Sequence, residues 1–404
     1  MLKVKTPNEV WTLIKQKFAP LSGGEYVPSF LAAGRVLAED ICAAEYVPDF
    51  DRSTVDGYAV RAKDTFGCSD SMPAILTRVG AVEMGQEVRI QVSEDECAAV
   101  PTGGEVPREA DAVAMIEYTE DYGDGTVGIL KAVSPGTNMI YRGDDVKPGK
   151  VVLKKGRQLK PQDIGALAAM GIVQVFVKKK LKVAIISTGD ELIPAEEKPG
   201  SGQIRDVNSD LLRAAVEAAG AQPACMGIIK DKEKLLADAL ERALNTCDMV
   251  LISGGSSVGT KDATCRVIEE KGEILFHGIA MKPGKPTILG CVDSKPVVGL
   301  PGHPAAAFFV MQLFVVPLMD RLTGQERRQF PVKAILEENV GANHGRAQYM
   351  GVWLRREGGK VFARPIRSKS GLITSLAGSE GYFCIDRDCE GIAAGTEVDV
   401  YLYG

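Results

Sequence analysis

The stretch from Met249 to Asp262, MVLISGGSSVGTKD, constrains the fold of this chain most. Its four leading apolar residues, Met249 to Ile252, read as a strand buried on both faces, because a strand with one wet face would alternate. Ser253, Gly254, Gly255, Ser256 and Ser257 follow at once. Glycine lets backbone come close to a ligand, and hydroxyls and free N–H groups are natural partners for phosphate. Thr260 or Asp262 then caps a helix over 263–271, stopped by Gly272. Strand, Gly/Ser loop and helix N-terminus in that order make an anion-binding arrangement. The same order also describes an ordinary βα connection. With neither GxGxxG nor a Walker pattern present, the stretch alone does not separate the two.

The rhythm repeats around it. Val183 to Ile186 reads as a strand, and Ser187, Thr188, Gly189, Asp190 and Glu191 as the loop leaving it. Asn208 or Ser209 caps a helix through Val216; Cys225 to Ile229 is a strand and Lys232 to Leu244 a helix. Such alternation predicts a mostly parallel sheet covered by helices, with ligands at the carboxyl ends of its strands. That crevice collects Asp190, Glu191, Asp231 and Asp262 with Lys282 and Lys285 of Met281-Lys282-Pro283-Gly284-Lys285-Pro286. Carboxylates there can hold a hard divalent cation such as Mg²⁺, and two lysines can neutralise a phosphate or another tetraoxyanion. Taken singly, each is an ordinary solvated charge or helix cap; their common placement after strands carries the functional reading. His303, between prolines in Pro301-Gly302-His303-Pro304, reads as a loop-packing residue or hydrogen-bond donor rather than a metal ligand, since no second histidine or cysteine neighbours it.

Outside 181–326 the pattern changes. A helix opens at Thr6-Pro7-Asn8-Glu9 and a second is predicted after Pro28, through Phe30, Leu31, Ala33 and Val36. Residues 51–145 read as an inserted β domain with strands over 74–79, 87–92, 112–117 and 126–133. A helix resumes at Pro161, and Lys178-Lys179-Lys180 reads as a solvated junction. Residues 327–404 read as a C-terminal β barrel or sandwich, with strands over 332–336, 348–354, 361–365, 382–385 and 397–403. A net charge of −5 argues against a general nucleic-acid binder, and nine cysteines without a CxxC pair give no zinc or redox signature. The most apolar run, 305–319, contains Gln312 and Pro317 and reads as too short to span a bilayer. These features, with no apolar signal-peptide core, point to a cytoplasmic protein with no membrane partner.

Taken together and in this order, the motifs resemble the MoeA / gephyrin E-domain family, the molybdopterin molybdenumtransferases. They are Ser53-Thr54-Val55-Asp56-Gly57-Tyr58-Ala59, Thr102-Gly103-Gly104, Gly143-Asp144-Asp145, Ser187 to Glu191, Ser253 to Gly259 with Asp262, Ala280 to Pro286, Gly299 to Pro304 and Ser370 to Leu376. The resemblance spans the whole chain. Five positions depart from the family pattern: Val55 for methionine, Ile140 for arginine, Asp144 for glutamate, His303 for asparagine and Glu380 for asparagine.

The resemblance implies a multidomain α/β and β protein. It has an elongated helical dimerisation domain (1–50 and 146–180), the inserted β domain (51–145), a MogA-like molybdopterin-binding α/β domain (181–326) and the C-terminal β domain. It implies a homodimeric enzyme that inserts molybdenum from molybdate into adenylylated molybdopterin, releasing AMP. Asp56, Thr102 and Asp145 would approach from the partner subunit, and Glu191, Asp231 and Asp262 would hold Mg²⁺. Ser187, Thr188, Gly189, Asp190, Ser253, Gly254, Gly255, Ser256, Val258, Gly259, Pro301, Gly302 and Pro304 would line the pterin site. Lys282, Lys285, Arg142 and Ser370 would meet molybdate. A MogA-like adenylyltransferase and molybdoenzyme apoproteins are the implied protein contacts. Two other functions fit parts of the chain: molybdopterin adenylyl transfer and a non-catalytic gephyrin-like scaffold.

Overall fold

The computed structural model describes residues 4–254, 258–327, 329–342, 344–367 and 371–403, with backbone alone for 258–262. At its centre is a six-stranded sheet in the order Gln222–Ile229, Lys182–Thr188, Met249–Gly254, Lys295–Leu300, Ile288–Val292, Glu273–His277. The first four strands are parallel, and the last two fold back as an antiparallel edge. Strand periodicity divides their side chains between two cores. Val183, Ile185 and Leu251 face one, with Leu212, Phe309 and Phe314; Ala184, Ile186, Val250 and Ile252 face the other, with Leu240, Val267 and Ile268. Both faces are apolar, which is why these strands appear in the sequence as unbroken hydrophobic runs.

The helix after the Gly/Ser loop spans Val258–Lys271, so Thr260 and Asp262 lie inside it rather than at the residue before it. Asp206, not Asn208 or Ser209, caps the helix Val207–Ala218, accepting from the Ser209 N–H at 3.0 Å. The apolar run at 305–319 belongs to a longer helix, Pro304–Thr323, whose 20 residues suffice by length and composition to cross a bilayer, correcting the shorter reading. Most of it is buried in the α/β core. Pro317 cannot donate to a carbonyl one turn back, and the helix widens ahead of it into a π turn, Met311–Val315, with the Val316 N–H on the Met311 carbonyl.

The N-terminal helix Pro7–Lys17 carries a capping box, Thr6 and Glu9 each bonding the other's backbone N–H. It packs Val10, Ile14 and Phe18 into the α/β core, rather than into the domain formed with 146–180. That domain is held by strand Glu25–Pro28 on Gln174–Val177 and Ile41–Cys42 on Val151–Leu153, around Leu37, Leu159, Leu167 and Val177. The helix expected after Pro28 is only a 3-10 turn, Ser29–Leu31. Phe30 and Leu31 are exposed, so no apolar face is available to stabilise a longer helix.

The inserted domain is a six-stranded sheet in the order Ala112–Met115, Gly57–Val60, Glu96–Val100, Ala74–Ala81, Thr126–Ile129, Thr119–Asp121. No strand forms over 87–92; Gln91 makes a single bridge to Arg108. C-terminally, Ala347–Glu357, Lys360–Pro365, Val332–Leu336, Glu397–Leu402 and Gly381–Ile385 close into a five-stranded barrel. The short strand Met281–Lys282 joins the barrel beside Ala347–Glu357, pairing Lys282 with Gln348. That pairing ties the α/β domain to the barrel at the lysine motif.

Candidate functional site

Two cavities open on the carboxyl side of the central sheet. The first, about 660 Å³, lies between the α/β domain and the barrel, lined by Lys282, Gly284, Lys285, Pro301, His303, Phe309, Arg346, Gln348, Tyr349 and Arg367 among others. Four cations line it, and none of its described lining residues is acidic. Arg367 is shared with Glu338, at 3.3 Å. Gly284, at φ +114°, lets the lysine motif turn: a Cβ there would sit 2.9 Å from the Val310 side chain.

The second cavity, about 570 Å³, is lined by Thr188, Glu191, Gln203, Arg205, Asp206, Asn208, Ser253, Gly254, Gly302, His303, Pro304 and Gly371 among others. Its floor holds two buried polar atoms with no hydrogen-bond partner among the described residues, Thr188 Oγ1 and Asn208 Oδ1. Buried polar groups are ordinarily satisfied, so two such atoms in one cavity mark places where a ligand's donors and acceptors would sit. The Asn208 amide is fixed by donating to Ser253 Oγ (2.7 Å) and the Gly302 carbonyl (3.0 Å). It therefore ties the first turn of Val207–Ala218 to two strand-end loops. Ser187 is occupied otherwise, its hydroxyl 2.9 Å from that of Ser209.

Thr188, Glu191, Ser253, Gly254, Gly302 and Pro304 thus meet in one cavity, and Lys282, Lys285 and Pro301 in the other. The Asp231 N–H donates to Asp190 at 3.3 Å, beside Gly189, whose N–H bonds the Ile229 carbonyl. Gly255, Ser256 and Ser370 lie outside the described residues, as do the side chains of Val258 and Asp262; Gly259 is in the following helix. Among the described residues no three His, Cys, Asp or Glu side chains gather closely enough to hold a metal ion. Glu191 and Asp231 alone do not make a Mg²⁺ centre.

Arg142 does not line the first cavity of its own chain. It lies in the Tyr46–Asp51 neighbourhood, bonded to Asp49 at 2.7 Å and stacked 4.3 Å over Tyr46. Asp145 is also exposed there, its N–H on the Val47 carbonyl. Asp56 accepts from both the Thr102 N–H (2.7 Å) and the Thr102 hydroxyl (3.0 Å). Those two donors hold the Asp56 carboxyl below its ordinary range. In Thr102→Val one donor is lost, so the Asp56 midpoint moves up toward that range; carboxyl-detected NMR titration reads the shift, and an unmoved midpoint would remove the hydroxyl as a cause.

Three family models tile the chain: MoeA N-terminal region (domain I and II) on residues 5–171, probable molybdopterin binding domain on 184–321, and MoeA C-terminal region (domain IV) on 333–403. The chain belongs to the MoeA family. Molybdopterin molybdenumtransferases of Haemophilus influenzae and Bacillus subtilis are 33% and 30% identical to it, over 93% and 100% of this chain and 93% and 95% of theirs. The crystal structure of the molybdopterin biosynthesis MoeA protein from Pyrococcus horikoshii superposes with a TM-score of 0.88 at 37% identity, covering 99% of this chain and 100% of that one. Against this MoeA frame, sequence reading missed Arg346, Arg367 and Gln348 of the barrel and Arg205 and Asn208 beside the Thr188 loop. None lies in a Gly/Ser motif; only the pairing of Lys282 with Gln348 brings the barrel residues in.

Proposed function

We propose that this MoeA-family protein is a molybdenum insertase, an enzyme of molybdenum cofactor biosynthesis that transfers molybdenum from molybdate into adenylylated molybdopterin and releases AMP. The observation that carries the reading is the pair of adjoining cavities, one ringed by four cations and one floored by the unpartnered Thr188 and Asn208 atoms. Molybdate, a compact tetraoxyanion, suits the point charges of Lys282 and Lys285 and the planar forks of Arg346 and Arg367. The pterin and its phosphates suit the second cavity, where Ser253 and Gly254 bring a hydroxyl and backbone N–H groups. The chain's contribution is positioning and charge neutralisation: cations hold the oxyanion while Asn208 and Thr188 orient the pterin.

Catalysis needs the inserted domain of a second copy. Asp56 and Thr102 form a pre-ordered hydrogen-bonded pair, yet neither lines either of these two cavities in its own chain. A homodimer that brings the partner's Asp56, Thr102 and Asp145 to the α/β cavities completes the site. Mg²⁺ belongs to that completed site, where acidic groups of both subunits meet, and not to the described carboxylates of one chain. Nine free cysteines support a reducing, cytoplasmic setting. The substrate implies an upstream MogA-like adenylyltransferase, and the product implies molybdoenzyme apoproteins as acceptors. Adenylyl transfer and scaffolding are not favoured, since relatives across nearly the whole chain are named for molybdenum transfer. Mass spectrometry of small molecules carried through purification tests the reading. Adenylylated or molybdenum-loaded pterin is expected, and a bound ligand of another class would contradict it.

A further inference from the structure

We infer that the junction between the α/β domain and the domain of strands Glu25–Pro28 and Gln174–Val177 holds a second anion site, a basic cleft that takes the phosphate groups of a small di- or triphosphate. The inference stands apart from the proposed function, because the cleft lies at the other end of the central sheet. Lys182 and Gln222 are the first residues of their strands, Asp248 immediately precedes Met249–Gly254, and all three line the cleft. Thr188, at the floor of the second cavity, ends the strand that Lys182 begins. Six steps along that strand, at about 3.3 Å each, put roughly 20 Å between the two.

The chain crosses between the two domains twice, and both crossings wall the cleft. The first leaves Phe18 in the α/β core and enters strand Glu25–Pro28. Its Leu21 N–H donates to the Leu322 carbonyl at 2.7 Å, and the Leu21 carbonyl accepts from Lys178 Nζ at 2.7 Å. The second runs from strand Gln174–Val177 through Lys178-Lys179-Lys180 into Lys182. The lysine run that reads in the sequence as a solvated junction therefore lines a concave space of about 580 Å³.

Five cations line that space, Arg35, Lys178, Lys179, Lys180 and Lys182, against two carboxylates, Glu25 and Asp248. Both carboxylates are engaged, Glu25 with Arg35 at 2.5 Å and Asp248 with the Lys182 N–H at 2.8 Å. Among the described residues the Lys179 and Lys180 side chains make no hydrogen bond or ion pair. Two helices, Glu233–Thr246 and Val316–Thr323, end at the cleft, and each C-terminus carries about half a negative charge. Those ends are already served by other groups: Lys295 donates to the Leu244 carbonyl, and the Gly324 and Gln325 N–H groups close the second helix. Even with both ends counted, about two positive charges remain, in a chain whose net charge is −5. Lysine point charges and a guanidinium fork suit adjoining phosphates. None of the cleft's described lining residues is aromatic, so a nucleobase finds no ring to stack on and recognition falls to the phosphates. Such a ligand bridges Arg35 of one domain and Lys182 of the other, fastening the junction.

The test uses full-length protein with tripolyphosphate as the probe, in saturating molybdate and AMP and without Mg²⁺. Calorimetry reads affinity, and hydrogen exchange reads location. Wild type should bind the probe with protection of amides in 19–25 and 178–183. Protection only of segments lining the two cavities at the carboxyl side of the sheet would overturn the inference. Lys179→Gln/Lys180→Gln should weaken binding about tenfold or more, and Lys179→Arg/Lys180→Arg should keep it within about threefold of wild type. Both pairs of substitutions are at exposed positions, so unchanged melting temperatures are expected alongside. Equal affinity in wild type and the glutamine variant would overturn the site. ATP should bind within about threefold of tripolyphosphate; far tighter binding of ATP would make the nucleoside the recognised part and overturn recognition through phosphate alone. Absence of tripolyphosphate binding by wild type would overturn the inference and leave the proposed function standing. Failure of molybdate and AMP to bind, read in separate titrations, would count against the proposed function alone.

Discussion

Lys282→Met/Lys285→Met is expected to weaken molybdate binding about a hundredfold or more, about 2.7 kcal/mol, while leaving AMP binding within about threefold of wild type. Both lysines line the cation-ringed cavity, and neither lines the cavity of Thr188 and Asn208. Methionine keeps most of the side-chain length and removes only the charge, so packing around Gly284 and Val310 is largely preserved. The residual affinity should come from Arg346 and Arg367, which explains why the loss is partial rather than total. Calorimetric titration with each ligand separates the outcomes. Loss of AMP affinity with molybdate binding intact would exchange the roles of the two cavities.

The second large effect concerns the dimer. Asp56→Asn should lower turnover about a hundredfold or more, because a neutral amide can neither hold a hard cation nor accept a proton as the carboxylate can. The Lys282→Met/Lys285→Met protein should be similarly slow. Mixed after subunit exchange, the two should recover about a quarter of wild-type activity. Half of the dimers are then heterodimers, each with one site built from an intact Asp56 of one subunit and intact lysines of the other. No recovery after verified exchange would place Asp56 and the lysines in the same subunit's site and remove the requirement for a partner.

The buried strands were legible because a sheet covered on both faces writes itself as contiguous apolar residues, as at Met249–Gly254. The barrel strands were legible through alternation, although the long strand Ala347–Glu357 extends beyond the apolar part that marks it. Strand Glu96–Val100 went unseen because Cys97, Ala98 and Ala99 are small and do not alternate with polar residues. Conversely, 87–92 alternates well but pairs with almost nothing, so a periodic pattern without a neighbouring strand gave no sheet. Of the candidate site, the loop residues Thr188, Glu191, Ser253 and Gly302 and the lysine motif were readable, because strand ends announce their loops. Arg346 and Arg367 were not, since their place depends on a two-residue strand, Met281–Lys282, docking on the barrel. The pairing of Arg142 with Asp49 was not readable either, because adjacency to an acidic motif in sequence says nothing about which carboxylate the fold sets beside a cation.

The central claim is that this chain moves molybdenum rather than adenylyl groups, and single-turnover kinetics on adenylylated molybdopterin test it most directly. Excess enzyme is mixed with adenylylated molybdopterin and Mg²⁺, with or without molybdate, and AMP and metal-loaded pterin are quantified by rapid quench. AMP release that depends on molybdate, with molybdenum-loaded pterin appearing in equal amount, is the predicted result. AMP release indifferent to molybdate, or formation of adenylylated molybdopterin from ATP and free molybdopterin with no metal transfer, would contradict it.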